Sequence, residues 1–265
     1  SGVVLYGDGH VLAGRYWEGV GIYVAPGSSN VTIEDVVVTW YSTGILVNSS
    51  SVLIVNSNVS NNQGTGVSIA GDHNSVVNST LIGNDEGVRI NGSNDSVVNS
   101  NVRDSYGNGV YMSGSNDSIV NSTVCCSYGN GVYISGLNDS IVNSAVIENH
   151  YIGVYIFGSN DSVVKSTVVN NYDTGVFIGG VGDFIVSSVL SGNGYGVKIA
   201  GYHNSVVNST LIGNDEGVRI TAPSSNNSVV NSTLRDNGVG ISLYDDSGTL
   251  ITDNIISNNS QYALK

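Results

Sequence analysis

The feature that most constrains the fold of this chain is a sequence repeat of about 22 residues. The segment 95–116, DSVVNSNVRDSYGNGVYMSGSN, returns with small changes at 117–138, 139–160 and 161–182. A fixed period of this length is the signature of a solenoid, in which each repeat packs on its neighbours. The residue that opens each unit is Asp or Asn, at Asn74, Asp95, Asp117, Asp139, Asp161, Asp183, Asn204 and Asn227.

Each unit contains three short apolar pieces separated by Gly, Asn, Ser and Asp, for example 96–98, 101–102 and 109–112. Short pieces rich in β-branched residues and bounded by turn formers are typical of strands. No unit has an apolar run with helical spacing. We therefore expect an all-β solenoid, a single parallel β-helix of about 12 coils with three short strands per coil. One domain should span 1–265, with first coils at 1–50, regular repeats at 51–248 and an open terminal coil at 249–265.

The first coils carry a family resemblance. The segments 6–14 (YGDGHVLAG), 31–35 (VTIED) and 44–47 (GILV) resemble the opening coils of right-handed parallel β-helix repeat proteins of the NosD-like and pectate-lyase-like superfamily. With the repeats, this resemblance covers nearly the whole chain and implies a right-handed coil. It implies no single function, because the architecture carries lyases, hydrolases, adhesins and scaffolds.

Charge and hydropathy exclude several classes of partner. The chain has 8 Lys and Arg against 21 Asp and Glu, and a net charge of −13 argues against nucleic-acid binding. No apolar run approaches the length of a membrane span, and we expect neither a membrane span nor a signal peptide in this sequence. A first residue of Ser1 fits a processed chain, and together with many Asn-x-Ser/Thr sequons it favours an extracellular or cell-surface location.

Strand alternation predicts where the asparagines lie. It places the Asn at the first bend of each unit inward, where stacked amides would form a buried ladder. The residues of this predicted ladder are Asn56, Asn78, Asn99, Asn121, Asn143, Asn208 and Asn231. Sequons in the turn after the third strand should instead face solvent and are candidate N-glycosylation sites, at Asn94, Asn116, Asn138, Asn160 and Asn226.

The same alternation exposes a line of valines on the first strand. Contiguous apolar surface often marks a contact, so these residues are a candidate lateral interface. The alternative is that β-propensity alone placed valine there. The line consists of Val77, Val98, Val120, Val142, Val164, Val186, Val207 and Val230.

The outward column of the third strand carries aromatic residues flanked by cations. It is a candidate carbohydrate-binding surface or protein interface, and the resemblance to lyases implies that this strand face carries substrate. The alternative is aromatic stacking between coils that only stiffens the sheet. The column reads Arg89, Tyr111, Tyr133, Tyr155, Phe177, Lys198 and Arg219. Further tyrosines in the preceding turn would widen the band, at Tyr106, Tyr128, Tyr151, Tyr172 and Tyr195.

Residues for catalysis or metal binding are sparse, so we expect no catalytic residue, no metal site and no cofactor. The acidic pairs 85–86 and 215–216 lie in nearly identical 20-residue segments, which indicates duplication and not a tuned pair of carboxylates. The Asp column leaves a calcium site open, although Asp also caps tight turns. The resemblance to NosD implies copper handling, but copper needs clustered His, Met or Cys ligands, and only the adjacent Cys125 and Cys126 qualify. These two cysteines are expected to remain without a disulfide.

The two ends of the chain complete the prediction. The end residues Val3, Val4, Leu5, Tyr262, Ala263 and Leu264 fit the repeat pattern and would let copies stack head to tail, with the protein as its own partner. The first functional hypothesis is therefore an extracellular structural β-helix that assembles into a filament or surface layer. The alternative is a carbohydrate-binding or polysaccharide-degrading β-helix that uses the aromatic strand face.

Overall fold

A computed structural model describes residues 2–265 as three parallel sheets of 12 strands each, with no helix. Every coil contributes one strand to each sheet, and each strand pairs with the equivalent strands of the coils before and after it. The prediction of a β-solenoid of about 12 coils is confirmed. Ser1 lies outside the described residues, and among 2–265 no helix has the length and hydropathy to cross a membrane.

The three sheets are named in the order in which a coil visits them. Sheet A contains Val3–Tyr6, Ser29–Glu34, Ser50–Val55, Ser75–Val77, Ser96–Val98, Ser118–Val120, Ser140–Val142, Ser162–Val164, Phe184–Val186, Ser205–Val207, Ser228–Val230 and Leu250–Thr252. Sheet B contains Val11–Ala13, Val37–Thr39, Asn58–Ser60, Thr80–Ile82, Asn101–Arg103, Thr123–Cys125, Ala145–Ile147, Thr167–Val169, Val189–Ser191, Thr210–Ile212, Thr233–Arg235 and Ile255–Ser257. Sheet C contains Val20–Val24, Thr43–Val47, Thr65–Ile69, Glu86–Ile90, Val110–Met112, Val132–Ile134, Val154–Ile156, Thr174–Ile178, Tyr195–Ile199, Glu216–Ser225, Val239–Ser247 and Tyr262–Leu264.

The core is a stack of apolar layers, one for each coil. In the coil that begins at Asp95, the inward side chains are Val97, Val102, Val110 and Met112, and all four are fully buried. Sheets A and B each supply one of these side chains and sheet C supplies two, because strands alternate their faces. Repeating this layer gives one continuous apolar core from Val24 to Ile241.

The bend between sheets A and B differs from the prediction. All seven asparagines of the predicted ladder are exposed, so the prediction that they are buried is wrong: Asn56, Asn78, Asn99, Asn121, Asn143, Asn208 and Asn231. Each adopts a left-handed backbone conformation with φ between 48° and 53°. A left-handed residue interrupts strand alternation, so the following serine points inward instead. Ser100, for example, is buried, and its hydroxyl accepts the backbone N–H of Ser79 at 3.1 Å.

A buried amide ladder does exist, at the bend between sheets B and C. Asn171 shows its geometry: its backbone N–H and its side-chain Nδ2 both donate to Asn193 Oδ1, at 2.9 and 3.1 Å. Ser105 and Ser127 occupy two of its positions. The asparagines of this ladder are Asn62, Asn84, Asn149, Asn171, Asn193, Asn214, Asn237 and Asn259.

The bend between sheets C and A contains a buried column of carboxyl groups. The five side chains are at most 1 % exposed: Asp95, Asp117, Asp139, Asp161 and Asp183. One oxygen of each accepts the backbone N–H of the preceding coil, as Asp139 Oδ1 does from Asp117 at 2.8 Å. The other oxygen of each has no hydrogen-bond partner within residues 2–265.

Candidate functional site

The outward column of sheet C is in register as predicted. The strand pairings place Arg89, Tyr111, Tyr133, Tyr155, Phe177, Lys198 and Arg219 on seven consecutive coils. We call these seven residues the sheet C stripe. Parallel pairing without a bulge across these rungs fixes one side chain above the next, at the strand spacing of about 4.8 Å.

The four rings of the stripe stack on one another. The centroid distances are 5.3 Å for Tyr111–Tyr133, 5.0 Å for Tyr133–Tyr155 and 4.8 Å for Tyr155–Phe177. The planes are 5° to 24° apart, so the rings cover each other's faces. Such contacts contribute about 0.5–1.5 kcal/mol each beyond area burial. The stripe therefore offers ring edges and phenol hydroxyls to a ligand, and not free ring faces.

Cations close both ends of the ring stack. The guanidinium of Arg89 lies 4.9 Å from the Tyr111 centroid, and Lys198 Nζ lies 5.9 Å from the Phe177 centroid. Arg219, one coil beyond Lys198, packs 5.2 Å from the Tyr195 ring and donates to its hydroxyl at 3.0 Å. Each cation–π contact of this kind is worth about 0.5–1 kcal/mol at an exposed site.

The two arginines are already paired with carboxylates. Arg89 Nε lies 2.6 Å from Glu86 Oε2, and Arg219 Nη1 lies 3.3 Å from Glu216 Oε1. Burial raises the pKa of Glu86, and the attraction of Arg89 partly offsets that rise. Lys198 has no such partner among the described residues, so it is the cation of the stripe that can meet an anionic ligand.

The phenol of Tyr155 should keep its proton at neutral pH. Partial burial and the neighbouring Tyr133 and Tyr151 raise the pKa of Tyr155. A neutral phenol can both donate and accept a hydrogen bond. The row of hydroxyls is thus suited to hydroxyl and carboxylate groups spaced along a polymer.

A second aromatic band runs along the turn between sheets B and C, and we call it the turn band. Tyr106 stacks on Tyr128 with centroids 5.9 Å apart, and Tyr128 stacks on His150 at 4.8 Å. The sequence predicted Tyr106 and Tyr128 here but missed His150, which replaces the expected Tyr151 in the stack. Trp17 and Trp40, stacked at 5.8 Å near the start of the chain, were also missed.

The two acidic pairs lie too far apart to act together on one glycosidic bond. Glu86 and Glu216 lie on sheet C strands that are six pairings apart. At about 4.8 Å per strand their separation is about 29 Å, far beyond the 5–10 Å that two carboxylates need in glycoside hydrolysis. Glu216 also accepts a hydrogen bond from the hydroxyl of buried Ser242.

The other predicted surfaces lie where the sequence placed them. The eight valines of the line on sheet A are partly exposed on its outer face, and the five candidate glycosylation asparagines are exposed in left-handed turns. Contact by a partner and attachment of a glycan remain predictions. At the chain ends, Val4 is 65 % exposed and Leu264 is 54 % exposed.

The three parallel sheets and the aromatic column on the outer face of sheet C define a parallel β-helix protein with a continuous row of stacked rings and cations along its length. The sequence model of the family described as "Periplasmic copper-binding protein (NosD)" matches residues 115–265, and the chain belongs to this family. The model described as "Right handed beta helix region" matches residues 19–142, which agrees with the predicted handedness. A comparison with curated proteins found no match.

Solved structures with the same fold include polysaccharide-processing proteins. The A-module of mannuronan C-5 epimerase AlgE4 from Azotobacter vinelandii superposes with a TM-score of 0.67 at 12 % identity, over 100 % of this chain and 91 % of that one. A double mutant of the periplasmic alginate epimerase AlgG gives 0.70 at 13 % identity, over 91 % and 73 %. Pectate lyase Pel9A gives 0.57 at 15 % identity, over 79 % and 68 %. At these identities the likeness concerns the fold.

Residues 2–265 do not bring together the ligands of a copper site. Among the described residues, no group of three His, Cys, Asp or Glu side chains lies close enough to hold a metal ion. Cys125 and Cys126 are free thiols, and burial raises the pKa of Cys125 to about 12, which disfavours the thiolate that copper prefers. Met112 is enclosed in the apolar core.

Proposed function

We propose that this protein binds an acidic polysaccharide along the outer face of sheet C. The observation that carries the proposal is the stripe itself, in which seven consecutive coils present a cation, four stacked rings and two further cations in register. A polysaccharide lying along the axis of the β-helix would meet one side chain of the stripe per coil, so successive sugar units would contact successive side chains.

The charge distribution supports an anionic ligand. The chain carries a net charge of −13 and 8 basic residues, three of which belong to the stripe. Lys198 is free of carboxylate partners, and Arg219 follows it on the next coil. Lys198 would meet a carboxylate of a uronate unit, while the phenol hydroxyls of Tyr111, Tyr133 and Tyr155 would bond sugar hydroxyls.

The structural neighbours support the same ligand class. They include a mannuronan epimerase, an alginate epimerase and a pectate lyase, which process polysaccharides on the same fold. A location outside the cytoplasm is part of the proposal, since the family description and the AlgG title both name the periplasm. Because the two acidic pairs are too far apart to cooperate, we propose binding without hydrolysis.

Charge reversal in the stripe tests the proposal. Lys198→Glu should weaken binding to polymannuronate or polygalacturonate about tenfold, because it places a negative charge against the carboxylates. Tyr133→Ala should weaken it by a similar factor, because it breaks the ring stack and removes one hydroxyl. Affinity electrophoresis in gels that contain each polymer measures both effects. Binding to both polyuronates should also weaken with added salt.

The matched control is Lys165→Glu, which makes the same charge change at an exposed turn between sheets A and B. Its affinity should equal that of the unchanged protein. Equal affinities for Lys198→Glu, Tyr133→Ala and the control, or no binding of either polyuronate, would refute the proposal.

Head-to-tail self-assembly is a second proposal, supported by the exposed apolar strands at both described ends. Val3 is 57 % exposed and Tyr262 is 53 % exposed, and each lies on an edge strand with one free side. A second copy would pair its first coil with the last coil of the first and bury these side chains. Sedimentation velocity should then show elongated species that grow with concentration. A single species with the mass of one chain at all concentrations would contradict the proposal.

A further inference from the structure

The aromatic residues at the turn between sheets B and C form two separate stacks, Trp17–Trp40 and Tyr106–Tyr128–His150. A gap of two coils separates these stacks. Trp40 lies on the coil whose sheet B strand is Val37–Thr39, and Tyr106 follows the strand Asn101–Arg103. Two sheet B strands lie between them, so the two rings are three strand spacings apart, about 14 Å along the axis. The intervening coils carry no aromatic ring at this turn.

Trp40 and Tyr106 both line the space in this gap. Trp17 covers the far side of Trp40, and Tyr128 covers the far side of Tyr106. The near sides are uncovered, since Trp40 is 49 % exposed and Tyr106 is 67 % exposed. This geometry differs from the sheet C stripe, in which neighbouring rings cover one another.

The space between the rings is an open cavity of about 420 Å³. Its lining consists of Trp17, Trp40, Asn61, Asn62, Gln63, Gly83 and Tyr106, and we call the part formed by Asn61, Gln63 and Gly83 its floor. This volume lies in the range of small-ligand sites, which are about 300–1,000 Å³. None of the residues that line the cavity carries a formal charge.

The floor provides polar groups without protein partners. The side-chain amides of Asn61 and Gln63 are exposed and make no hydrogen bond to any described residue. Gly83 has a φ of +63°, and a Cβ there would lie 2.8 Å from Asn61 Oδ1. Gly83 occupies the same turn position as Asn61 in the preceding coil. Because Gly83 has no side chain, the space above the Asn61 amide remains open.

We infer that this slot is a binding site for a short neutral saccharide, separate from the sheet C stripe. The two apolar ring faces would stack on sugar rings through their C–H groups. The amides of Asn61 and Gln63 would each offer a donor and an acceptor to sugar hydroxyls. The uncharged lining favours a neutral sugar over a uronate. The inference stands on its own geometry and does not depend on the proposed function of the stripe.

Tryptophan fluorescence reads this site directly, because the chain has two tryptophans, Trp17 and Trp40, and both lie at the slot. Titration with cellohexaose, mannohexaose or maltohexaose should give a saturable change in emission with at least one of them. Polygalacturonate should not change the tryptophan emission, because it should not bind in the slot.

Two variants place the signal in the slot. Tyr106→Ala should weaken the interaction about tenfold or more, because it removes one stacking face. Gly83→Asn should abolish it by filling the floor. This variant should fold, because Asn61 and Asn170 hold the equivalent turn position with φ of 54° and 56°.

The control is Gly213→Asn, which makes the same change in the identical local sequence STLIGNDEGVRI, where φ is +66° and a Cβ meets no atom within 4 Å. It should bind the hexasaccharides as well as the unchanged protein. An absence of any emission change with the three hexasaccharides would overturn the inference. A response that survives Gly83→Asn, or a response to polyuronate alone, would overturn it as well.

Discussion

The thermal stability of this protein should rise as the pH falls from 8 to 4, which is the reverse of the usual acid denaturation. The cause is the column of five buried carboxyl groups between sheets C and A. Burial raises the pKa of Asp95, Asp139 and Asp183 to about 6 and the pKa of Asp117 and Asp161 to about 8. Asp117 and Asp161 are raised further because acidic neighbours flank each of them in the column.

The asparagines in the same column show why the protonated form fits. Asn204 Nδ2 donates to the carbonyl oxygen of Gly180 at 3.2 Å. In the preceding coil, Asp183 takes the position that Asn204 has in its own coil. A Cβ built on Gly180 would lie next to the carbonyl oxygen of Gly158 and 2.5 Å from Asp183 Oδ2, so these two oxygens lie on the same side of Gly180. The second oxygen of each Asp thus occupies the place of the amide nitrogen. A protonated carboxyl can donate there as the amide does, whereas a carboxylate would face a carbonyl oxygen.

The sign of the pH effect follows from linkage. In the unfolded chain these carboxyls ionise near pH 4, but in the folded chain they keep their protons to about pH 6 or 8. The contribution of these five carboxyls to stability is therefore greatest below about pH 4, declines through the window from 4 to 8, and levels off above it. Each unit of pKa displacement costs about 1.4 kcal/mol above the window, so a single carboxyl raised to about 6 costs about 3 kcal/mol at pH 8.

Replacement of these carboxyls by amides should remove the effect. Asp117→Asn and Asp161→Asn should each raise stability at pH 8 by at least about 2 kcal/mol and leave it unchanged at pH 4. Melting curves by circular dichroism at pH 4, 6 and 8 measure this. The control Asp85→Asn makes the same charge change at an exposed turn and should have no such effect.

Two outcomes would contradict this account. One is a melting temperature that falls between pH 6 and pH 4 in the unchanged protein. The other is a rise in melting temperature with calcium at pH 8 that chelation reverses, since a divalent ion and not protons would then neutralise the column.

The repeat made the architecture predictable because its period and its β-branched strand residues leave one stacking arrangement. Strand alternation was sufficient to predict the inward Val97, the outward Val98 and the register of the sheet C stripe. The rule failed where the chain turns through a left-handed residue. Asn99 has φ of 50°, so it faces solvent and Ser100 faces the core. The preference of Asn for left-handed backbone was a usable signal for this reversal.

The candidate sites could be predicted only in part, since they depend on contacts between distant coils. The stripe was visible because its residues recur at the same place in each repeat. The slot was not visible in the sequence, because Trp40 and Tyr106 occupy different turn positions. The two coils between them also carry no aromatic residue at this turn. The pKa values of the Asp column also depend on burial, which the sequence does not specify for a turn residue.

Close contact between coils also predicts a large cost for a methyl group in the turn that contains Gly114. A Cβ at this position would overlap the carbonyl oxygen of Gly92 in the preceding coil and lie 2.6 Å from Asp117 Oδ2. The nearest atom belongs to the backbone of the preceding coil, and strand hydrogen bonds hold that coil in place. Relief of the overlap would therefore require the two coils to move apart. Gly114→Ala should therefore destabilise the protein by about 3 kcal/mol or more. In a chain of this size that lowers the melting temperature by on the order of 10 °C.

The matched control is Gly107→Ala in the same coil, where the nearest atom to a Cβ is the Asp85 oxygen at 3.0 Å. It should change the melting temperature by about 2 °C or less, because the lower entropy of the unfolded chain offsets the mild contact. Since each coil contacts its two neighbours, hydrogen exchange in Gly114→Ala should accelerate first in the coils around 92–117. Equal melting temperatures for the two variants would mean that the coils at this turn are farther apart than the carbonyl positions indicate. The same result would remove the basis for a hydrogen bond between Asp117 and Gly92.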